Sequence, residues 1–197
     1  MTYTDEFLSD SRKIINLLDR DAIERIATEL AALRSRGGRL FIVGSGGGAG
    51  HASHAVNDFR KIAGIEAYAP TDNVSELTAR INDEGWETSY SNWLRVSRIG
   101  ALDAILVFSV GGGDAVRGIS VNLVRCIELA CEVGATVLGI VGRDGGYTAA
   151  VGDAVVIPPL NIDTVTPQTE GLQAIIWHLL VSHPAVRQKL GKWESAT

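Results

Sequence analysis

Three short apolar runs in this chain each end in a cluster of glycines, and that pattern limits its fold more than any other feature. RLFIVG (39–44) runs into glycines at 44–50, DAILVFSV (103–110) into Gly111–Gly113, and TVLGIVG (136–142) into a turn at 142–146. Runs so short and so uniformly apolar read as strands buried on both faces of a parallel sheet. IEAYA (65–69) and AVVIP (154–158) add two more, for five strands. Helical spacing fills the intervals: roughly 50–62, near 73–81 and 88–97 on either side of NDEGWE, and roughly 115–132. A final helix is predicted from near Pro167, a residue suited to a first turn, to about Ser182, with Pro184 ending it. Ahead of the first strand, 5–35 reads as two helices or one bent helix stopped at Gly37-Gly38. The fold predicted is α/β: a doubly wound, flavodoxin-like, five-stranded parallel sheet with helices on both faces, preceded by a helical region over 1–37 that packs on the core or across subunits. Ligands of such sheets bind beyond the carboxyl ends of the strands, where these glycines lie.

A chain of 197 residues is expected to form one domain, 1–197, with a full core. Apolar content of 46% with 21% charged residues is that of a soluble globular protein. A net charge of −5 with interspersed signs argues against a nucleic-acid partner. No apolar run reaches the roughly 20 residues of a membrane span. MTYTDEFLSDSRK lacks the apolar core of a signal peptide, and Cys126 and Cys131 read as reduced thiols, so a cytoplasmic protein is expected.

All four histidines fall in two helical stretches. His51 and His54 follow the first glycine turn, and His178 and His183 lie near the C-terminus. Asp58 stands four residues after His54 and so shares its helical face. Glu170 stands eight residues before His178, about 12 Å along the axis, so one metal takes both only if Glu170 reaches forward. If the last helix crosses the first, His54, Asp58, Glu170 and His178 form a metal or acid–base site. His183 beside Pro184 is expected to be structural, and Trp177 to pack in the core or an interface. GSGGGAG offers glycines for close backbone approach and a helix start for an anion. Its spacing Gly44-x-Gly46-x-x-Ala49 also fits, weakly, a dinucleotide fingerprint. Ser109 and the amides of Gly111–Gly113 offer a second anion site, with Asp114 placed to cap the following helix.

With the glycine loop and its helix, the NDEG stretch (82–85), SVGGGD, GRDGG and the helix ending IIWHLL, the chain resembles the sugar isomerase (SIS) domain family. Within it, the chain resembles the sedoheptulose 7-phosphate isomerases, or phosphoheptose isomerases. The resemblance implies catalysis by Asp58 and His178 with help from Asp83, and zinc on His54, Asp58, Glu170 and His178. It implies substrate contacts from Ser45, Gly46, Gly47, Gly48, Ser109, Gly111, Gly112, Gly113 and Asp114. It also implies a homotetramer. The chain departs from the family in several places. Asp58 stands for Glu and Glu170 for Gln. Gly48 replaces a serine, and Val110, Gly111 and Asp114 replace loop hydroxyls. The activity implied is conversion of sedoheptulose 7-phosphate to a D-glycero-D-manno-heptose 7-phosphate. The rivals are a non-catalytic sugar-phosphate-binding module, an isomerase of another sugar phosphate and, on the glycine spacing alone, a nicotinamide-dependent enzyme.

Overall fold

The computed structural model describes residues 1–196. Helices α1 (Tyr3–Leu17) and α2 (Arg20–Ser35) come first. Then follow β1 (Leu40–Gly44), α3 (Gly47–Lys61), β2 (Ala67–Tyr68), α4 (Val74–Glu84), α5 (Trp86–Val96) and β3 (Ala104–Ser109). The chain continues with α6 (Val121–Val133), β4 (Thr136–Gly142), α7 (Gly146–Val151), β5 (Asp153–Ile157), a 3-10 turn (Ile162–Thr164) and α8 (Val165–Ser182). All five strands are parallel, in the order β2-β1-β3-β4-β5. The predicted doubly wound α/β sheet is therefore what forms.

Side chains alternate across each strand, so the strand sequences decide which helices lie on which face. Leu40, Ile42, Leu106, Phe108, Leu138 and Ile140 join a core with α2, α3 and α8. Phe41, Val43, Ile105, Val107 and Val137 point the other way, onto α5 and α6. Both sets are apolar, which is why the strands show no polar alternation. The chain leaves β1 for β2 on one side and then crosses to β3 on the other. That reversal opens a crevice beyond Gly44 and Ser109. No helix among the described residues is long and apolar enough to cross a membrane.

Several boundaries differ from expectation. The first helical region is two helices, one of its two expected forms, and Asp19 starts the second by accepting from the Ala22 amide. NDEGWE is not a loop, because Gly85 alone, at φ 86°, separates α4 from α5. Arg80 pairs with both Glu76 and Glu84 and carries α4 through that stretch. The helix predicted from 115 begins at Val121. Residues 114–120 instead form a turn closed by backbone bonds between Asp114 and Ile119. The six-residue α7 starts at Gly146, the last glycine of the third cluster, and is too short for helical periodicity to show.

At the opposite end of the sheet, where the strands begin, Asp103 ties three elements together. It accepts from the Arg39 guanidinium and from the amides of Arg39 and Gly100, while Arg39 reaches the Ser97 and Arg98 carbonyls after α5. Burial pushes the Asp103 carboxyl up, but the bonds from Arg39 and the two amides outweigh it and hold the group below its ordinary value of 3.8. A carboxyl lowered by folding stabilises the protein above its unfolded pKa, and that contribution fades as pH falls through the folded one. Asp103→Asn is therefore expected to cost about 2 kcal/mol at pH 7. The gap from wild type should narrow as pH falls below 3.8, as read by denaturant unfolding across pH. A gap constant from pH 7 to pH 2 would remove the ionic explanation.

Candidate active site

The first glycine loop bends β1 into α3. Gly48 is there for the protein itself: a Cβ on it would lie 2.7 Å from the Phe108 carbonyl oxygen, where α3 rests on the end of β3. The second loop folds back on the turn after β4. Gly112, at φ 71°, has no room for a Cβ against the Gly145 carbonyl. Its own carbonyl accepts from the Thr148 amide (3.0 Å) and hydroxyl (2.7 Å). Ser109 Oγ accepts from the Gly112 amide at 3.0 Å. Close backbone approach between parts of the protein is thus required at Gly48 and at Gly112. Asp114 does not cap α6. It accepts from the Val116 and Arg117 amides, and Ser120 precedes the helix without a side-chain cap.

The last helix does cross the first one. α8 packs on α3 and brings His178 to His54 and Asp58. One ligand atom from each lies within 4.8 Å of the others. His54 Nε2 stands 3.7 Å and His178 Nε2 3.9 Å from Asp58 Oδ2. Asp58 is mostly buried and the two imidazoles are half exposed, so the carboxylate forms the floor and the rings the rim. His178 Nδ1 lies 2.7 Å from the Ala174 carbonyl. A carbonyl only accepts, so Nδ1 carries the hydrogen, and whenever the ring is neutral the lone pair is on Nε2, the nitrogen that faces Asp58. Trp177 is fully buried in the core, one of its two predicted places. Its indole stacks on His178 (3.4 Å between centroids, 27°) and meets His54 edge-on (4.8 Å, 69°), which holds both rings in place.

Other candidates lie apart. Glu170 is outside the group of three. Eight residues ahead of His178, it reaches the first turn of α3 instead, and a Cβ on Gly47 would lie 2.5 Å from its carboxylate. That end of a helix favours negative charge. His51 shares the shallow groove beside Glu170. His183 pairs with Glu24 at 3.2 Å and accepts from the Ala185 amide, a structural role as expected. Asp83 lies exposed in the last turn of α4, accepting from Asn82.

Beyond β1, β3 and β4 lies a cavity of about 600 Å³, lined among others by Ser45, Ser109, Ser120, Arg143 and Tyr147. Sequence reasoning found the two loop serines but missed Ser120, Arg143 and Tyr147. The GRDGG turn was visible, and an arginine at the carboxyl end of a buried strand was the available signal. Two buried supports were missed as well. Asn122 donates to Ser45 Oγ at 3.0 Å, and Gln173 donates to the Ile140 and Ser109 carbonyls, tying α8 to the ends of β3 and β4. Tyr90 donates to the Gly44 carbonyl at 3.0 Å. Burial pushes its hydroxyl up to about 12, so it stays a donor.

No family model matches the chain. Lincomycin biosynthesis protein LmbN of Streptomyces lincolnensis is 32% identical to it over 188 residues, which are 89% of this chain and span 66% of that protein. Phosphoheptose isomerase of Trichlorobacter lovleyi is 34% identical over 163 residues, 80% of this chain and 78% of that one. Among solved structures, phosphoheptose isomerase GmhA from Neisseria gonorrhoeae superposes with a TM-score of 0.78 at 22% identity, covering 90% of this chain and 95% of its own. At that identity the superposition speaks for the fold alone.

Proposed function

This chain belongs to the phosphoheptose isomerase family, and we infer from it that the protein is an aldose–ketose isomerase. It converts sedoheptulose 7-phosphate to D-glycero-D-manno-heptose 7-phosphate. The observation that carries this reading is the meeting of His54, Asp58 and His178 from two helices far apart in sequence. The reaction moves one proton from C1 to C2 and another from the C1 hydroxyl to the C2 oxygen. Asp58 takes the proton from C1 and, after its carboxyl exchanges with solvent, delivers one to C2 of the enediol. His178 Nε2, unprotonated in the neutral ring, takes the O1 proton and delivers it to O2. Nδ1–H stays on the Ala174 carbonyl throughout. Asp83 keeps the assisting role that the family resemblance implies.

The three donors also fit zinc. Two imidazole nitrogens and a carboxylate oxygen suit that ion, and ligand atoms around it stand roughly 3.4 Å apart, close to the separations from Asp58 Oδ2 of 3.7 and 3.9 Å. Zinc held there would instead supply Lewis-acid polarisation of the substrate carbonyl, occupying the lone pairs of Asp58 and His178 that the proton transfers need, so the two arrangements are alternatives. Glu170, the fourth family position, would have to turn from Gly47 to join. We assign the chain to the cytoplasm as one SIS domain over 1–197, acting as a homotetramer. Leu8, Ile15 and Leu17 on α1 and Ile175 and Leu179 on α8 lie exposed and support that assembly.

The test is turnover of sedoheptulose 7-phosphate in deuterated water, with deuterium expected at C2 of the aldose. Metal analysis accompanies it. His54→Ala should weaken zinc binding by more than the roughly 10–100-fold that loss of a supporting hydrogen bond costs. A protein that binds the sugar phosphate without turnover is a non-catalytic module. The likeness to a lincomycin biosynthesis protein and the bare glycines of the second loop favour one alternative, an isomerase of another sugar phosphate. A panel of sugar phosphates separates it.

A further inference from the structure

The two glycine loops are not equivalent as places for a phosphate. The first is already matched with a negative charge, since the Glu170 carboxylate lies against Gly47 where α3 begins. The second borders the cavity of about 600 Å³. That loop, 109–113, brings a single hydroxyl to the cavity, from Ser109. A dianion there needs a cation.

Four charged side chains line the cavity: Asp114, Arg117, Arg143 and Asp144. Asp114 and Arg117 face each other at 3.4 Å. The Asp144 carboxylate accepts from the Gly146 amide at 3.3 Å. Arg143 is different. Among the described residues, no carboxylate lies within 4.0 Å of its guanidinium. Its backbone is also unusual. Three non-glycine residues among those described have positive φ, and two of them, Arg143 (55°) and Ser120 (52°), stand on this cavity's wall. Left-handed backbone is unfavourable for a residue with a Cβ, and such strain gathers where a ligand is held. Glycine would serve the turn after β4 better, yet the position carries a long cation. Gly111 leaves its path open: a Cβ there would meet only the Arg143 Cδ, at 3.8 Å.

We propose that Arg143 anchors the phosphate of the substrate, binding it in the cavity between the 109–113 loop and the turn after β4. This rests on the isomerase reading for the identity of the phosphate's owner, but not for the anion site itself. The Ser109 hydroxyl, whose oxygen already accepts from Gly112, has its hydrogen left to donate to the same group. The forked guanidinium binds two phosphate oxygens at once, which a lysine cannot do.

The experiment compares wild type with Arg143→Gln, Arg143→Lys and Arg143→Gly. Inorganic phosphate is titrated by phosphorus NMR, thermal melting is followed, and kcat and KM are measured on sedoheptulose 7-phosphate. Arg143→Gln should weaken phosphate binding and raise KM by about 10- to 100-fold, the worth of a charge-assisted bond, with kcat little changed. Arg143→Lys should fall between. Arg143→Gly should melt at a higher temperature than wild type, because the strain is gone, and still lose phosphate affinity. A residue kept only for the turn gives the first result without the second. Phosphate affinity in Arg143→Gln or Arg143→Gly equal to wild type, or no phosphate binding by wild type, overturns the proposal. Wild type that binds phosphate through Arg143 but turns over no sugar overturns the isomerase reading and leaves the anion site standing. Turnover with KM untouched by Arg143→Gln does the reverse.

Discussion

His178→Ala is expected to lower kcat for isomerisation by about 10²- to 10⁴-fold, the range for loss of a positioned acid–base group. The ring is half exposed and sits at the rim of the site, so the fold should survive its removal. Asp58→Asn should cost a similar factor while keeping the side chain's shape. The two losses should not add, because a carbon proton and an oxygen proton move in one sequence and either missing group stalls it. Steady-state rates on sedoheptulose 7-phosphate, with deuterium exchange into C1 and C2, measure both. Exchange at carbon that outlives His178 but not Asp58 assigns the carbon proton to the carboxylate. A kcat within about tenfold of wild type in both variants removes the pair from the chemistry.

Trp177→Ala should lower stability by about 3–5 kcal/mol, as truncation of a fully buried tryptophan does. For a chain of this length the melting temperature should fall by roughly 10 °C. The same change frees His54 and His178, which both lean on the indole, so activity should fall further than partial unfolding explains. Trp177→Phe is the informative control. The indole Nε1 is buried with no hydrogen-bond partner among the described residues. Phenylalanine therefore gives up no bond, keeps an aromatic face for the two rings and should recover most of the stability. A phenylalanine variant as unstable as the alanine one would mean that Nε1 has a partner after all.

The fold was legible because its strands are apolar on both sides. From Leu40 to Gly44 and from Ala104 to Ser109 every residue is buried, and only a sheet covered twice asks for that. His54 and Asp58 were legible as a pair from their four-residue spacing alone. Their meeting with His178 depended on how α8 crosses α3, which local pattern does not encode, and the family resemblance filled that gap. Glu170 shows the limit of spacing: it shares a helix with His178 yet reaches a different end of α3. Gly112 shows another. That it packs on the Gly145 carbonyl across two loops shows in no local pattern. Asp114 was read as a helix cap because turn residues just before a helix resemble one, and the extra turn to Ser120 follows from the pairing of Asp114 with Ile119.

The crossing of α3 by α8 also sets when the site comes into being. The three residues enter the growing chain far apart, with His178 made 120 residues after Asp58. Every strand of the sheet is made before α8, since β5 ends at Ile157. A nascent chain can therefore pair its strands and bury most of its core while the reactive group does not exist. Synthesis adds roughly 5–20 residues per second, and domains fold as they emerge. An unfinished or truncated chain ending before His178 carries at most two of the three site residues. It has one imidazole and one carboxylate on α3, and nothing opposite them to share a metal ion or a proton.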